Sequence, residues 1–373
     1  MKKALVLAMV LVLAAGFVFA NAASEKAAPA PEVKAMTHDE LVAAAQAEGT
    51  LTIYSYSSRT AKVAEAFSNL YGIKVETTQL KDSEMIEKVS TEAAAGLDAA
   101  DLILCQDGSR VYPELILAGY TVNYLPEEYK GLIAEKYQDP LVYEFCNKLF
   151  MYNNENGVTS VKNVWELTEP QWKNKFQTKD AFQEGVNLNF FTMCTREDWA
   201  QKLADAYKAL YGKDIVLDAD CPNAGYQLIK GLYANAVLGK SDTTINEQVG
   251  AAGVGDYYGL YTYNKTRNSA AKNLHVAPNT EMVPFAGFMY PVYCFITSNA
   301  RSTNAAKLFV EYAFTSEGFE PYKVLGDYSA KADLVNPEDP ISFSQWESIL
   351  VVEDPEWCAE ARPDVEEFIS RIM

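Results

Sequence analysis

Between residues 51 and 105 the chain switches repeatedly between a period of two and a period near 3.6, and this limits its fold more than any other feature. Residues 51–54 (LTIY) are a short β-rich run. Residues 60–71 then place Val63, Ala64, Phe67, Leu70 and Tyr71 at helical spacing, with Gly72 as the stop. Residues 73–80 alternate as a strand does, and 82–96 carry Ile86, Val89 and Ala93 on one helical face. Residues 100–105 (ADLILC) form the continuous apolar run of a strand buried on both faces of a parallel sheet. Three strand–helix steps in so short a stretch predict an α/β layer with right-handed crossovers.

The pattern continues downstream. Strands are expected at 145–152, 257–263, 274–277 and 288–297 (FMYPVYCFIT), and helices at 195–211, 226–238 and 302–314. The polar stretch 153–157 reads as a linker. A length of 373 residues suggests about two domains, each with its own core. Lys+Arg 32 against Asp+Glu 50 gives a net charge of −18, a field that repels nucleic acid and anionic membrane surfaces and draws in cations.

Met1-Lys2-Lys3, the uncharged apolar run 4–20 and the small-residue triplet Ala20-Asn21-Ala22 fit a secretory signal cleaved near Ala22. Loss of Lys2 and Lys3 takes the charge from −18 to −20 in the exported chain. An Ala/Pro/Glu-rich leader follows to about Lys34. The six cysteines are at least 27 residues apart, which excludes C-x-x-C motifs, and export permits either disulfides or small buried thiols. With two histidines, His38 and His275, a His-rich metal site is impossible. G-x-S-x-G, P-loop and H-E-x-x-H motifs are missing, so hydrolase and nucleotide-enzyme readings have little support.

Ligands in open α/β sheets bind beyond the carboxyl ends of strands. That rule points to Tyr56, Ser57, Ser58 and Arg59 after the first strand and to Asp107 after the third. Hydroxyls, a guanidinium and the N–H groups of a helix start can cradle an anion. The same residues also fit an ordinary helix cap with a solvated arginine.

The stretch from GTLTIYSYSSRT to ADLILCQDGSR, together with Trp172-Lys-Asn-Lys175 and Asn304-Ala-Ala-Lys-Leu-Phe-Val-Glu-Tyr312, resembles the solute-binding proteins of ABC importers, specifically their ferric-iron-binding group. The resemblance covers most of the exported chain. It implies an α/β, two-lobe periplasmic-binding-protein-like (type II) fold with a hinge of crossing strands. The implied division is a signal over 1–22, a leader and first helix over 23–48, and the first part of lobe 1 over 49–152. Lobe 2 follows over 153–287, and a hinge strand with the return to lobe 1 over 288–373.

The resemblance further implies a periplasmic, monomeric binding protein rather than an enzyme, with a membrane permease as partner. It needs no cofactor, because ferric iron or an iron complex is the cargo. Tyr257 and Tyr258 are the implied metal ligands, and Glu184-Gly185 lies in an implied anion-holding turn. Ferric ion prefers oxygen donors, which suits tyrosinate, but Tyr257, Tyr261 and Tyr263 also alternate as strand aromatics do. The chain departs from the iron binders in having Ser57-Ser58-Arg59 where they carry His or Tyr, and in lacking Tyr near 182–186. Relatives that carry phosphorylated sugars, phosphonates or thiamine give the alternative cargo. An exported enzyme and a surface antigen that has lost its ligand are the readings of other classes.

Overall fold

A computed structural model of the chain describes residues 36–97 and 100–373; the expected signal and nearly all of the leader lie outside those residues. The first part of the fold comprises α1 (His38–Glu48), β1 (Thr50–Ser55), α2 (Thr60–Tyr71), β2 (Lys74–Gln79), α3 (Asp82–Ala94), β3 (Leu102–Cys105), the short α4 (Gly108–Val111) and β4 (Thr121–Val122). Strand β5 (Val142–Asn153) carries the chain into β6 (Phe176–Lys179), α5 (Gly185–Thr195), α6 (Glu197–Tyr211), α7 (Ala224–Asn235), β7 (Ala236–Gly239), α8 (Asp242–Gly250), β8 (Tyr258–Thr262) and β9 (Val276–Pro278). Strand β10 (Gly287–Thr297) returns it to α9 (Thr303–Ala313), α10 (Ser316–Phe319), β11 (Asp327–Ser329), α11 (Phe343–Ile349), β12 (Val351–Val352) and α12 (Pro355–Ile372).

The strand order β2-β1-β3-β10-β5-β8-β6-β7 shows how two lobes share one sheet. In lobe 1, β1 pairs in parallel with β2 and β3, and the C-terminal half of β10 runs antiparallel to β3. In lobe 2, β6 lies parallel between β7 and β8, and the second half of β5 runs antiparallel to β8. Strands β5 and β10 pair with each other from Gly287↔Leu149 to Tyr293↔Val142 and belong to both lobes. Every residue of both is buried, as strands covered on both faces must be. Pro291 sits inside β10, where it can give no ladder hydrogen bond, and the register shifts just beyond it between Val292 and Tyr293.

The lobe 1 core forms where helical stripes meet the sheet: Phe67 of α2 packs on Phe309 and Tyr312 of α9, over the buried Leu51 and Ile53 of β1. In lobe 2, Phe190 of α5 contacts Phe150, Phe285 and Phe288. Helix α5 departs from expectation. The run 195–211 is two elements, with Thr195 ending α5 and α6 starting at Glu197. Ten of its eleven residues are buried, so α5 has no polar stripe for periodicity to detect. Strand β5 begins at Val142 rather than 145, which draws Glu144 into the sheet. All six cysteines are free and buried, which decides between thiols and disulfides.

Candidate functional site

Residues at and just beyond the carboxyl ends of β1, β3, β6 and β8 meet beside the crossing strand β5, where their polar side chains pair with one another. After β1, the Ser57 hydroxyl accepts from the backbone N–H and Nε of Arg59 at 3.3 and 3.2 Å. The guanidinium lies over the Tyr322 ring at 4.3 Å and pairs with Asp327 of β11. Burial works against the charged Arg59, but Asp327 overcomes it and holds the guanidinium above its usual pKa. Tyr56 donates to Glu144, whose carboxyl is pushed well up by burial and by the nearby Asp327. Ser58 is exposed at the tip of the loop. The loop is thus more than a helix cap with a solvated arginine, because Arg59 is an inward-facing, partnered cation.

Lobe 2 answers with a second set of charges. Lys148 of β5 is fully buried and pairs with Glu184 and, at 3.3 Å, with Asp242 at the start of α8; Lys179 reaches Glu184 at 3.1 Å. Burial disfavours the Lys148 ammonium, yet Asp242 and Glu184 keep its pKa above the usual value. The turn after β8 supplies Asn264, which donates to Asp327 at 2.8 Å, and then Lys265 and Arg267. Burial pulls both of these cations down; Arg59 repels both and Arg267 repels Lys265, against the pull of Asp242 on Lys265 and of Asp327 on both. No carboxylate lies within ion-pair distance of either among the described residues. Three cations therefore face one another around Asp327, and only Arg59 is paired with it.

Asp107 and Gly185, assigned from opposite lobes, are brought together. The Asp107 carboxylate lies so close to Gly185 that a Cβ there would meet its Oδ2 at 1.8 Å, which accounts for glycine at the first position of α5. Asp107 accepts from Arg362 at 2.7 Å, Ser109 at 2.8 Å and Asn189 at 3.1 Å. Beneath it, burial and the Asp107 charge raise the Glu353 carboxyl to about 8, and burial with Asp107 and Glu184 raises Asp82 to about 7.

Tyr257 and Tyr258 stand apart from these residues. They stand at the amino end of β8, whereas the cleft lies at its carboxyl end, ~13 Å of strand away at about 3.3 Å per residue. Tyr258 is buried, donates to Thr159 at 2.5 Å, accepts from Asn279 at 3.1 Å and packs on Trp172. Burial raises its phenol, against the hydrogen bonds to Thr159 and Asn279. Tyr257 borders a small pocket of about 170 Å³ with Asn156 and Asp256. The structure therefore does not join this pair to the other assigned residues.

Sequence reasoning missed Lys148, Asp242, Asn264, Lys265, Arg267, Asp327, Glu353 and Arg362. The strand-end rule, applied to the run 257–263, would have pointed to Asn264–Arg267. Nothing in the order of residues foretold Asp327, Glu353 or Arg362, which arrive from the C-terminal return of the chain. Glu144, Cys146 and Asp327 place ligand atoms within 4.8 Å of one another, so a cation could in principle be held there. Arg59 already supplies the positive charge at that spot. A cavity of about 600 Å³ adjoins the site at Asp327 and is otherwise walled by Tyr137, Leu334, Ile341 and Phe343; Arg59, Lys148, Lys265 and Arg267 do not line it.

No family model and no curated protein matches the chain. Solved structures do. Iron-bound HitA from Pseudomonas aeruginosa superposes with a TM-score of 0.66 at 16% identity, covering 87% of this chain and 99% of that one. The Trichodesmium protein IdiA (FutA), in complex with iron and citrate ligands, gives 0.61 at 18% identity, over 87% and 99%. The substrate-binding protein of an ABC transporter from Agrobacterium tumefaciens gives 0.65 at 13% identity, over 87% and 94%. At these identities the likeness speaks for architecture: the chain has the two-lobe α/β fold of the type II periplasmic binding proteins.

Proposed function

We propose that this protein is the solute-binding component of an importer, and that its cleft captures a small anionic solute. Closure of the lobes about β5 and β10 would present the loaded form to a membrane permease. The observation that carries the reading is the group Arg59, Lys265 and Arg267 around Asp327, beside a Glu144 carboxyl that burial pushes well up and with Asp242 acting on Lys265. In a chain of net charge −18, a cleft with surplus positive charge is a local reversal of the molecule's field. Organic phosphates, phosphonates and carboxylates answer it. Iron fits when it arrives as an anionic complex, for the bare ferric ion would meet three cations and a tyrosine pair directed elsewhere. The expected signal segment supports export to the periplasm, action as a monomer follows from the resemblance, and no bond-breaking chemistry is assigned.

Bare ferric iron is the second reading, favoured by the Glu144, Cys146 and Asp327 cluster. Thermal-shift and calorimetric titrations with ferric citrate, ferric ion alone, inorganic phosphate, an alkyl phosphonate, a sugar phosphate and thiamine separate the readings. Stabilisation by an anion, weakened tenfold or more in Arg267→Gln with unchanged melting of the free protein, supports the proposal. Stabilisation by ferric ion alone, or by cationic thiamine, would overturn it.

A further inference from the structure

The cavity that adjoins Asp327 has a volume, about 600 Å³, within the range of small-molecule sites. Three segments enclose it: residues 132–137, residues 327–336, which begin with β11, and residues 339–347, which lead into α11. Aromatic packing holds the walls in place. Tyr137 and Phe343 both lie against Phe145 of β5, with ring centres at 4.6 and 5.2 Å, and Phe343 also meets Tyr328 of β11 at 6.2 Å. Ser342 caps α11 through a capping box with Gln345, which fixes the helix start from which Phe343 projects.

The charged side chains on the wall already have protein partners. Glu347 accepts from Lys136 at 3.0 Å and from Tyr137 at 2.6 Å. Lys331 pairs with Asp333 at 2.6 Å and lies 5.1 Å from the centre of the Tyr129 ring. Asp339 accepts from Tyr328 at 2.5 Å, from Trp346 Nε1 at 3.1 Å and from the Ile341 N–H at 2.9 Å. Asp327 holds Arg59 and Asn264. An ionic ligand would have to break one of these pairs, and a peptide would bring backbone N–H and C=O groups that need partners of their own. The rest of the wall is largely apolar: Leu334, Ile341 and Phe343 are half-buried, and Leu132 and Val335 are 37% and 65% exposed. Water finds few hydrogen-bond partners against such side chains, which favours an apolar occupant.

We propose that this cavity is a second binding site, for an uncharged, largely apolar small molecule, sharing strand β11 with the group around Asp327. Asp327, Tyr328 and Ser329 of that strand line it, and the same Asp327 holds Arg59. The site is independent of which solute the charged group takes, because none of Arg59, Lys148, Lys265 and Arg267 borders it.

The test is a titration of the protein with N-phenyl-1-naphthylamine, an uncharged dye that brightens in apolar surroundings. Saturable brightening at one dye per chain is expected. Ile341→Glu and Leu334→Glu each set a charge on the wall and should weaken the dye about tenfold or more. Val335→Glu should weaken it in the same sense from an exposed position that the fold tolerates, and Leu117→Glu, 68% exposed and away from the cavity, should leave it unchanged. Unchanged melting of each variant shows that the fold holds. Displacement of the dye by 1-naphthalenemethanol, but not by the 1-naphthoate anion of like size, tests the absence of charge in the ligand. A dye that does not saturate, wall variants that melt and bind as wild type, equal weakening in Leu117→Glu, or displacement by naphthoate as strong as by the alcohol would each refute the site. So would a dimer in sedimentation that the dye dissociates, which would make this face a contact between two copies of the chain. The result stands whether or not the anionic-solute reading survives its own titrations, because the dye carries no charge.

Discussion

Replacing Glu353 by glutamine tests the chemistry of the buried junction without altering its shape. Burial, with Asp107 next to it, moves the Glu353 carboxyl from an ordinary 4.5 up to about 8. The folded protein therefore keeps a proton that the unfolded chain has released across roughly pH 5 to 8. Native binding of more protons means that stability falls as pH rises. This contribution is fully present below the unfolded value and lost on passing the folded one. Each pH unit in that window costs about 1.4 kcal/mol, or about 4 kcal/mol over three units. Glutamine resembles the protonated acid and keeps an oxygen for the Gly108 N–H. Urea unfolding at pH 5, 6, 7, 8 and 9 should therefore show the wild-type protein losing stability more steeply than Glu353→Gln, with the variant the more stable above pH 7. Groups that titrate elsewhere cancel in the difference. Parallel curves for the two proteins would show that Glu353 is ionised when folded, and the argument from burial would fail.

Other residues carry sharper tests of position. Lys148→Met leaves Glu184 and Asp242 facing each other in a buried setting and should cost about 3–5 kcal/mol in chemical denaturation; a loss under 1 kcal/mol would mean that water already screens the cluster. Phe190→Ala should cost about 3–5 kcal/mol by emptying the centre of lobe 2, and a small effect in the same assay would contradict the packing around α5. Tyr258→Phe removes the hydroxyl shared with Thr159 and Asn279 and should lower stability by about 1 kcal/mol. Solute titrations should be unchanged by it. Loss of solute or iron binding in that variant would return the tyrosine pair to the site.

Most of lobe 1 was legible because its amphipathic helices and apolar strands repeat at their own periods. The run 60–71 is helical within the expected bounds, and the buried strand appears at Leu102–Cys105. Helix α5 was hidden because it is apolar on all sides, so its Phe and Leu residues carry no phase. Arg59 and Asp107 could be singled out in the sequence because each follows a strand. The place of the tyrosine pair at the amino end of β8 was not legible, because two adjacent residues do not reveal which end of a strand they occupy.

The sequence by itself determined that β and α units alternate, that the chain is acidic, and which residues follow its early strands. These are properties of local order: periodicity, composition and the residues that follow a strand. Tertiary structure alone decided which charges meet. Asp327 reaches Arg59 and Arg362 reaches Asp107 across separations of 268 and 255 residues. Such pairs depend on where β5 and β10 carry the chain between lobes, and the energy of a buried charge depends on its neighbours in space rather than in sequence.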